Sequence, residues 1–453
     1  MLLLRCLLSL LATASGGERL HYGLFGDLHL VRPAAAADGA VLFFSDAAGW
    51  TVREEAYAVA LADRGQLVVG IDTPAYLTTL GGLKGDCAYP AGHVEEVAHW
   101  IERHEQFADY RAPLVLGLGS GAGFAYALVA QAPAGTFAGL VTLGWRESLR
   151  LPKPLCRGDA GTATARLAGG VRVVPVARFP APWLPLPFAA TDAYDGLAAL
   201  RPSALGALPA LWRAATAAPA APSPPAVAAR VQRWQARGAP RSDAVAGDVA
   251  DLPLTDVAPQ GTPADSVVVL LTGDGGWAGL DKGVAEVLAQ QGVRVVGFST
   301  LRYFWQTRAP QEAADALGRV IAHYAAQAPT ARFVVVGYSF GASLAPVVVN
   351  RLPQAVRARV AAQVLISPDA DAVFEIKVGD WFGSARHEGS LPIAPEVLRS
   401  PVPVYCVHGE DEDDSACAQL DSSHVQVLSL PGGHHYDGDY AALGRLIAER
   451  IAR

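Results

Sequence analysis

The chain has 453 residues, enough for two domains of roughly 200 each. Hydrophobic residues make up 51% and charged residues 17%, a balance that builds large cores and excludes a disordered chain. A net charge of −7 leaves no broad positive field for nucleic acid or for anionic headgroups, so a nucleic-acid partner is not expected.

At the N-terminus an apolar run interrupted only by Arg5 ends at Ala12-Thr13-Ala14. The charged, apolar, small-residue order is that of a secretory signal over residues 1–16. The run is too short to span about 30 Å of hydrocarbon, and no other stretch has 18 uninterrupted apolar residues. Without Cys6, four cysteines remain, and an even count in an exported protein predicts the disulfides Cys87–Cys156 and Cys406–Cys417.

From Val41 to Ser45 an apolar strand leads into Asp46-Ala47-Ala48-Gly49-Trp50. Further on, Val267–Leu271 leads into Asp274-Gly275-Gly276-Trp277. Residues 60–72 likewise lie over 287–299, and 114–125 over 334–345, at nearly one offset. The chain therefore reads as two copies of one α/β fold, over 20–213 and 241–453. The Ala/Pro segment between them, Ala214–Ala229 at its core, reads as an extended linker over 214–240.

In the second copy, short buried-type runs at Val267–Leu271, Arg294–Phe298, Phe333–Val336, Val364–Ser367, Val402–Val407 and Val425–Leu430 alternate with helical stretches at Leu280–Gln290, Pro310–Ala326 and Ala342–Arg351. Continuous apolarity marks strands covered on both faces, and the alternation predicts a doubly wound, mostly parallel sheet.

The segment Gly337-Tyr338-Ser339-Phe340-Gly341 stands between a strand and a helix. That is the setting of a nucleophile elbow, in which a tight turn lifts the serine hydroxyl above the sheet. Ser339 is the expected nucleophile. Its counterpart in the first copy is Gly119, with Ser120 one place later, so the first copy is expected to be catalytically dead. A serine needs a base and an orienting carboxylate, which in such folds follow in the order acid, then histidine. The acid is Asp414 or Glu412, with Asp414 slightly favoured because a Cys406–Cys417 bridge would hold it. The base is His434 first and His435 second, and His408 reads as a packed histidine at a strand end. The acidic run 410–414 reads as a solvated loop or as an attractor for a cationic substrate group. Oxyanion N–H groups are expected from Phe340 and from the loop carrying Asp274 and Gly275. No metal-ligand spacing or phosphate-loop pattern appears, so no cofactor is expected.

Taken in order, GDGGW (273–277), LRYFW (301–305) with Arg308, GYSFG (337–341), YCVHGEDEDDSAC (405–417) and PGGHHYDGDY (431–440) resemble the bacterial VirJ/AcvB virulence-protein family. The first copy resembles the N-terminal region of the longer, AcvB-like members. The resemblance implies a periplasmic α/β-hydrolase that frees lysine or alanine from aminoacyl-phosphatidylglycerol. It also implies transient contact with the membrane surface and association with secretion systems. Trp277, Arg302, Tyr303 and Arg308 are then expected at the substrate, with the arginines on the lipid phosphate.

Overall fold

The computed structural model describes residues 17–186 apart from 84–86, 145–147, 157, 159–160, 162, 168–169 and 177, and then 223–238, 248–376, 389–420 and 425–451. The anticipated leader, residues 1–16, lies outside these. Among the described residues no helix is long and apolar enough to cross a membrane.

Two seven-stranded sheets form the frame. The first runs, in spatial order, Glu18–Tyr22, Gly26–Val31, Gln66–Ile71, Gly39–Phe44, Leu114–Leu118, Gly139–Leu143 and Trp183–Leu186. The second runs Leu254–Val257, Arg294–Phe298, Ser266–Leu271, Arg332–Tyr338, Val360–Ile366, Val404–Gly409 and Val425–Leu430. Six strands keep the same order in both: one antiparallel strand, then five parallel ones. The first sheet has one more strand before that set, and the second has one more after it, Val425–Leu430. The tandem α/β-hydrolase-like plan read from the repeats is therefore present as topology. The antiparallel strand Leu254–Val257 had no signal in the sequence, being four residues with polar Thr255 and Asp256.

The central strands are apolar on both faces because helices cover both. Val268, Val269, Val335 and Val336 are fully buried, as are Val41, Leu42, Val115 and Leu116 in the first sheet. Two small-residue positions repeat as well. The Trp50 ring lies on Gly70 and the Trp277 ring on Gly297, so a Cβ at either glycine would come within 2.2 Å of the indole.

One expectation is corrected. The extended linker placed over 214–240 contains a helix, Pro224–Gly238. Its prolines fall in the first turn, where missing N–H groups cost nothing. Val227, Val231 and Trp234 then fall on one face at helical spacing and are buried against the first sheet's core, alongside helix Val52–Ala62. Trp234 closes over Gly139, and Arg64 donates to Gln232 at 2.8 Å. This helix belongs to the first copy. Both anticipated disulfides, Cys87–Cys156 and Cys406–Cys417, are formed.

Candidate active site

Ser339 sits between strand Arg332–Tyr338 and helix Phe340–Asn350, at φ 50° and ψ −116°. Positive φ in a non-glycine residue is strained, and such strain gathers at functional turns. The turn leaves no room beside it: a Cβ on Gly337 would meet the Gly341 carbonyl oxygen at 2.4 Å, and one on Gly341 would meet the Leu271 carbonyl oxygen at 2.2 Å. Close approach is what requires glycine at both places.

The Ser339 Oγ lies 3.1 Å from Nε2 of His434, whose Nδ1 lies 2.6 Å from Oε1 of Glu412. The other carboxylate oxygen of Glu412 accepts from the Ser367 hydroxyl at 2.7 Å and from the Gly409 N–H at 3.1 Å. Burial works to raise the Glu412 carboxyl, but the hydrogen bonds from His434, Ser367 and Gly409 outweigh it and hold it below its usual value. For His434, burial pushes the imidazole down, and the Glu412 bond and charge, with Asp369 and Asp274 nearby, more than reverse this. Gly409 lets the two loops meet, since a Cβ there would come within 2.4 Å of the Gly432 and Gly433 carbonyl oxygens.

The carboxylate on His434 is thus Glu412 and not the slightly favoured Asp414. Strand Val404–Gly409 ends at a turn closed by Glu412 N–H to Gly409 O, which swings residue 412 back over the sheet edge. Asp414 is exposed two residues further on. The disulfide pins the far side of the loop rather than the acid itself. Of the acidic run, only Glu412 turns inward. His435 holds the loop from the other side, with its Nδ1 2.9 Å from the Tyr338 hydroxyl; burial first, and then neighbouring His434, push its imidazole down. His408 packs at its strand end with Nδ1 2.9 Å from the Gly409 carbonyl oxygen.

The first copy locates the place where an oxyanion would sit. Gly119 has the backbone of Ser339, with φ 59° and ψ −115°. The carboxylate of Asp46 fills the space above it: Oδ1 accepts from Ala47 N–H at 2.7 Å, Ser120 N–H at 2.8 Å and the Ser120 hydroxyl at 3.0 Å. A Cβ on Gly119 would stand 2.2 Å from that carboxylate. The positions matching Asp46, Ala47 and Ser120 are Gly273, Asp274 and Phe340. Where the first copy carries its own anion, the second has only the hydrogen of Gly273, and a Cβ there would lie 3.8 Å from that of Ser339. By position the N–H groups of Asp274 and Phe340 correspond to the two that hold the Asp46 carboxylate, and the Asp274 carboxyl itself takes hydrogen bonds from the N–H groups of Asp274 and Gly275.

Residues 265–453 match the model of a family described as bacterial virulence protein (VirJ). The matched region holds the hydroxyl, the imidazole and the carboxylate. No curated protein matches the chain. Among solved structures it is similar to an alpha-beta serine hydrolase homologue from Coxiella burnetii, with 16% identity over 44% of this chain and 90% of that one, TM-score 0.33. It is also similar to an esterase domain from Rhodothermus marinus (15%, 43% and 89%, TM-score 0.32) and to Est1E from Butyrivibrio proteoclasticus (14%, 44% and 94%, TM-score 0.33).

Other residues of the matched region expected at the substrate are placed elsewhere. Trp277 packs on Gly297 as Trp50 does on Gly70, which is the work of a core residue. The Tyr303 hydroxyl donates to the Glu312 carbonyl, and its ring lies under the Arg308 guanidinium at 5.1 Å. Arg308 also donates to the Tyr303 carbonyl at 3.4 Å, so the pair is spent on its own turn. Arg302 is exposed on the short helix Thr300–Tyr303. None of the four makes a described contact with Ser339 or His434.

Two residues near the site had escaped the sequence reading. Asp369 follows strand Val360–Ile366, and its N–H donates to the Ser343 hydroxyl at 2.9 Å. Burial raises its carboxyl, against the pull of His434. Its place at a carboxyl-terminal strand edge was the available signal. The second, Glu95, comes from the other copy and had no signal.

Proposed function

We propose that the chain is a serine esterase that removes the aminoacyl group from aminoacyl-phosphatidylglycerol in the periplasm, yielding the free amino acid and phosphatidylglycerol. The observation that carries the hydrolase part is the line Ser339 Oγ, His434 Nε2, His434 Nδ1, Glu412 at 3.1 and 2.6 Å. His434 takes the Ser339 proton as Oγ attacks the ester carbonyl carbon. The carbonyl oxygen becomes an oxyanion between the Asp274 and Phe340 N–H groups. His434 then gives its proton to the glycerol oxygen as the C–O bond breaks, leaving an aminoacyl-serine. Water, deprotonated by the same imidazole, cleaves that ester and returns the hydroxyl. Glu412 keeps the Nδ1–H tautomer and stabilises the imidazolium.

The lipid assignment draws support from the VirJ/AcvB resemblance and from the buried Asp274 carboxyl on the oxyanion loop, which suits an ammonium-bearing acyl group. A periplasmic site agrees with the two disulfides. Labelling by a fluorophosphonate, lost in Ser339→Ala, tests the chemistry; an unlabelled wild type would leave a binding or secretion-associated role instead. A strain lacking the gene should accumulate aminoacyl-phosphatidylglycerol, with no rescue by Ser339→Ala. An unchanged lipid profile removes the lipid and leaves an esterase of other substrates.

A further inference from the structure

The first copy does not stand apart from the site. Its helix Pro90–His104 and the turn after it lie against the second copy: Trp305 donates to the Phe107 carbonyl at 2.9 Å, Gln306 to the Ala108 carbonyl at 3.1 Å, and Arg103 pairs with Glu375 at 3.6 Å. Lys282 reaches the Ala134 carbonyl from the other side. Between these contacts Glu95 projects onto the oxyanion loop, with Oε1 3.6 Å from where a Cβ of Gly275 would be.

Glu95 makes no hydrogen bond or ion pair among the described residues. Behind it the Tyr110 hydroxyl is itself buried without a hydrogen-bond partner. Burial, and then Asp274 across the loop, push the Glu95 carboxyl up to about 8, and no cation acts on it. Asp274 is raised by burial, with His434 the only cationic group set against it. Two carboxyls placed together, one of them with no counter-charge, are costly in the ionised form, and a bound cation relieves that cost.

We propose that Glu95, supplied by the first copy, is the specificity residue that binds an ammonium on the acyl half of the ester held at Ser339. The side is fixed by the site's polarity. The leaving oxygen must face His434 to receive its proton, so the acyl chain extends the other way. Glu95 lies against the oxyanion loop, with Oε1 3.6 Å from the place of a Gly275 Cβ and with Asp274 its charged neighbour there. An α-ammonium lies one carbon from the carbonyl whose oxygen meets the Asp274 N–H, and so within reach of that loop. The inference rests on the hydrolase reading above and adds who reads the acyl group.

The test compares alanylglycerol with propionylglycerol, which differ by the ammonium alone. For the full-length protein the ratio of kcat/KM, alanyl over propionyl, should fall at least about tenfold in Glu95→Gln and further in Glu95→Lys. Fluorophosphonate labelling of Ser339 is followed in parallel. A ratio unchanged in both variants overturns the proposal, even where both rates fall, because Glu95 would then only position the loop. If the variants do not fold, the wild type still decides: labelling with a ratio near one refutes the proposal and leaves the hydrolase standing. A wild type neither labelled nor active on either ester removes the reading beneath it.

Discussion

Gly273→Asp should convert the second copy's site into a likeness of the first's. In the first copy one carboxylate oxygen takes both N–H groups, at 2.7 and 2.8 Å, and the second copy differs at that point by a glycine. An aspartate at 273 would accept from Asp274 and Phe340 and deny both to substrate. Losing one oxyanion donor typically costs about 10²–10³ in rate, so losing two costs about 10⁴ or more. The carboxylate would also repel the developing oxyanion. Gly273→Ala is the control: its Cβ would lie 3.1 Å from Tyr338 Cδ1, a tight fit that offers no acceptor. The assay is kcat/KM on a neutral ester together with the fluorophosphonate labelling rate, because the phosphonyl oxygen uses the same donors. If Gly273→Asp keeps more than about a hundredth of wild-type activity, or if alanine is as damaging as aspartate, the assignment of the Asp274 and Phe340 N–H groups fails.

Glu412→Gln should lower kcat/KM by about 10³–10⁴, whereas Asp414→Asn should stay within about threefold; steady-state kinetics on a neutral ester separates the two carboxylates. Because the base must be neutral and Glu412, Asp369 and Asp274 hold the His434 imidazole above its usual value against the effect of burial, kcat/KM should be lost as pH falls through a point above the ordinary histidine range. In Glu412→Gln that limb should move to lower pH; a pH–rate profile with an unmoved limb would place the titration on another group. Removing the Cys406–Cys417 bridge, which closes 11 residues behind Glu412, should cost about 2–3 kcal/mol in denaturant unfolding. Trp234→Ala should cost about 3–5 kcal/mol in the same measurement, since the indole is 7% exposed over Gly139.

Strands buried on both faces announced themselves through unbroken β-branched runs, and the repeats fixed the tandem plan because glycine and tryptophan recur where backbone and ring must touch. The elbow was legible for the same reason: Gly337 and Gly341 are demanded by contact. Helix Pro224–Gly238 was hidden because alanine and proline dominate its start, and its buried face rests on Val227, Ala228, Val231 and Trp234. The choice between Glu412 and Asp414 depended on how sharply a five-residue acidic loop turns, which composition does not encode. Trp277 and Tyr303 were expected at the substrate from the resemblance alone, and an aromatic side chain serves packing and binding alike. Glu95 was out of reach, since nothing in its own copy says which surface of the other it will meet.

The unequal ends of the two sheets limit what mutation can restore. The histidine loop hangs from Val425–Leu430, the strand with no counterpart at the matching edge among the described residues of the first sheet. Clearing Asp46 and installing a serine at 119 would recreate an alcohol and an anion hole, with no imidazole to reach them. Among the described residues the two halves differ by a strand as well as by side chains, so point substitutions in the first copy would not by themselves bring the second copy's histidine loop to it.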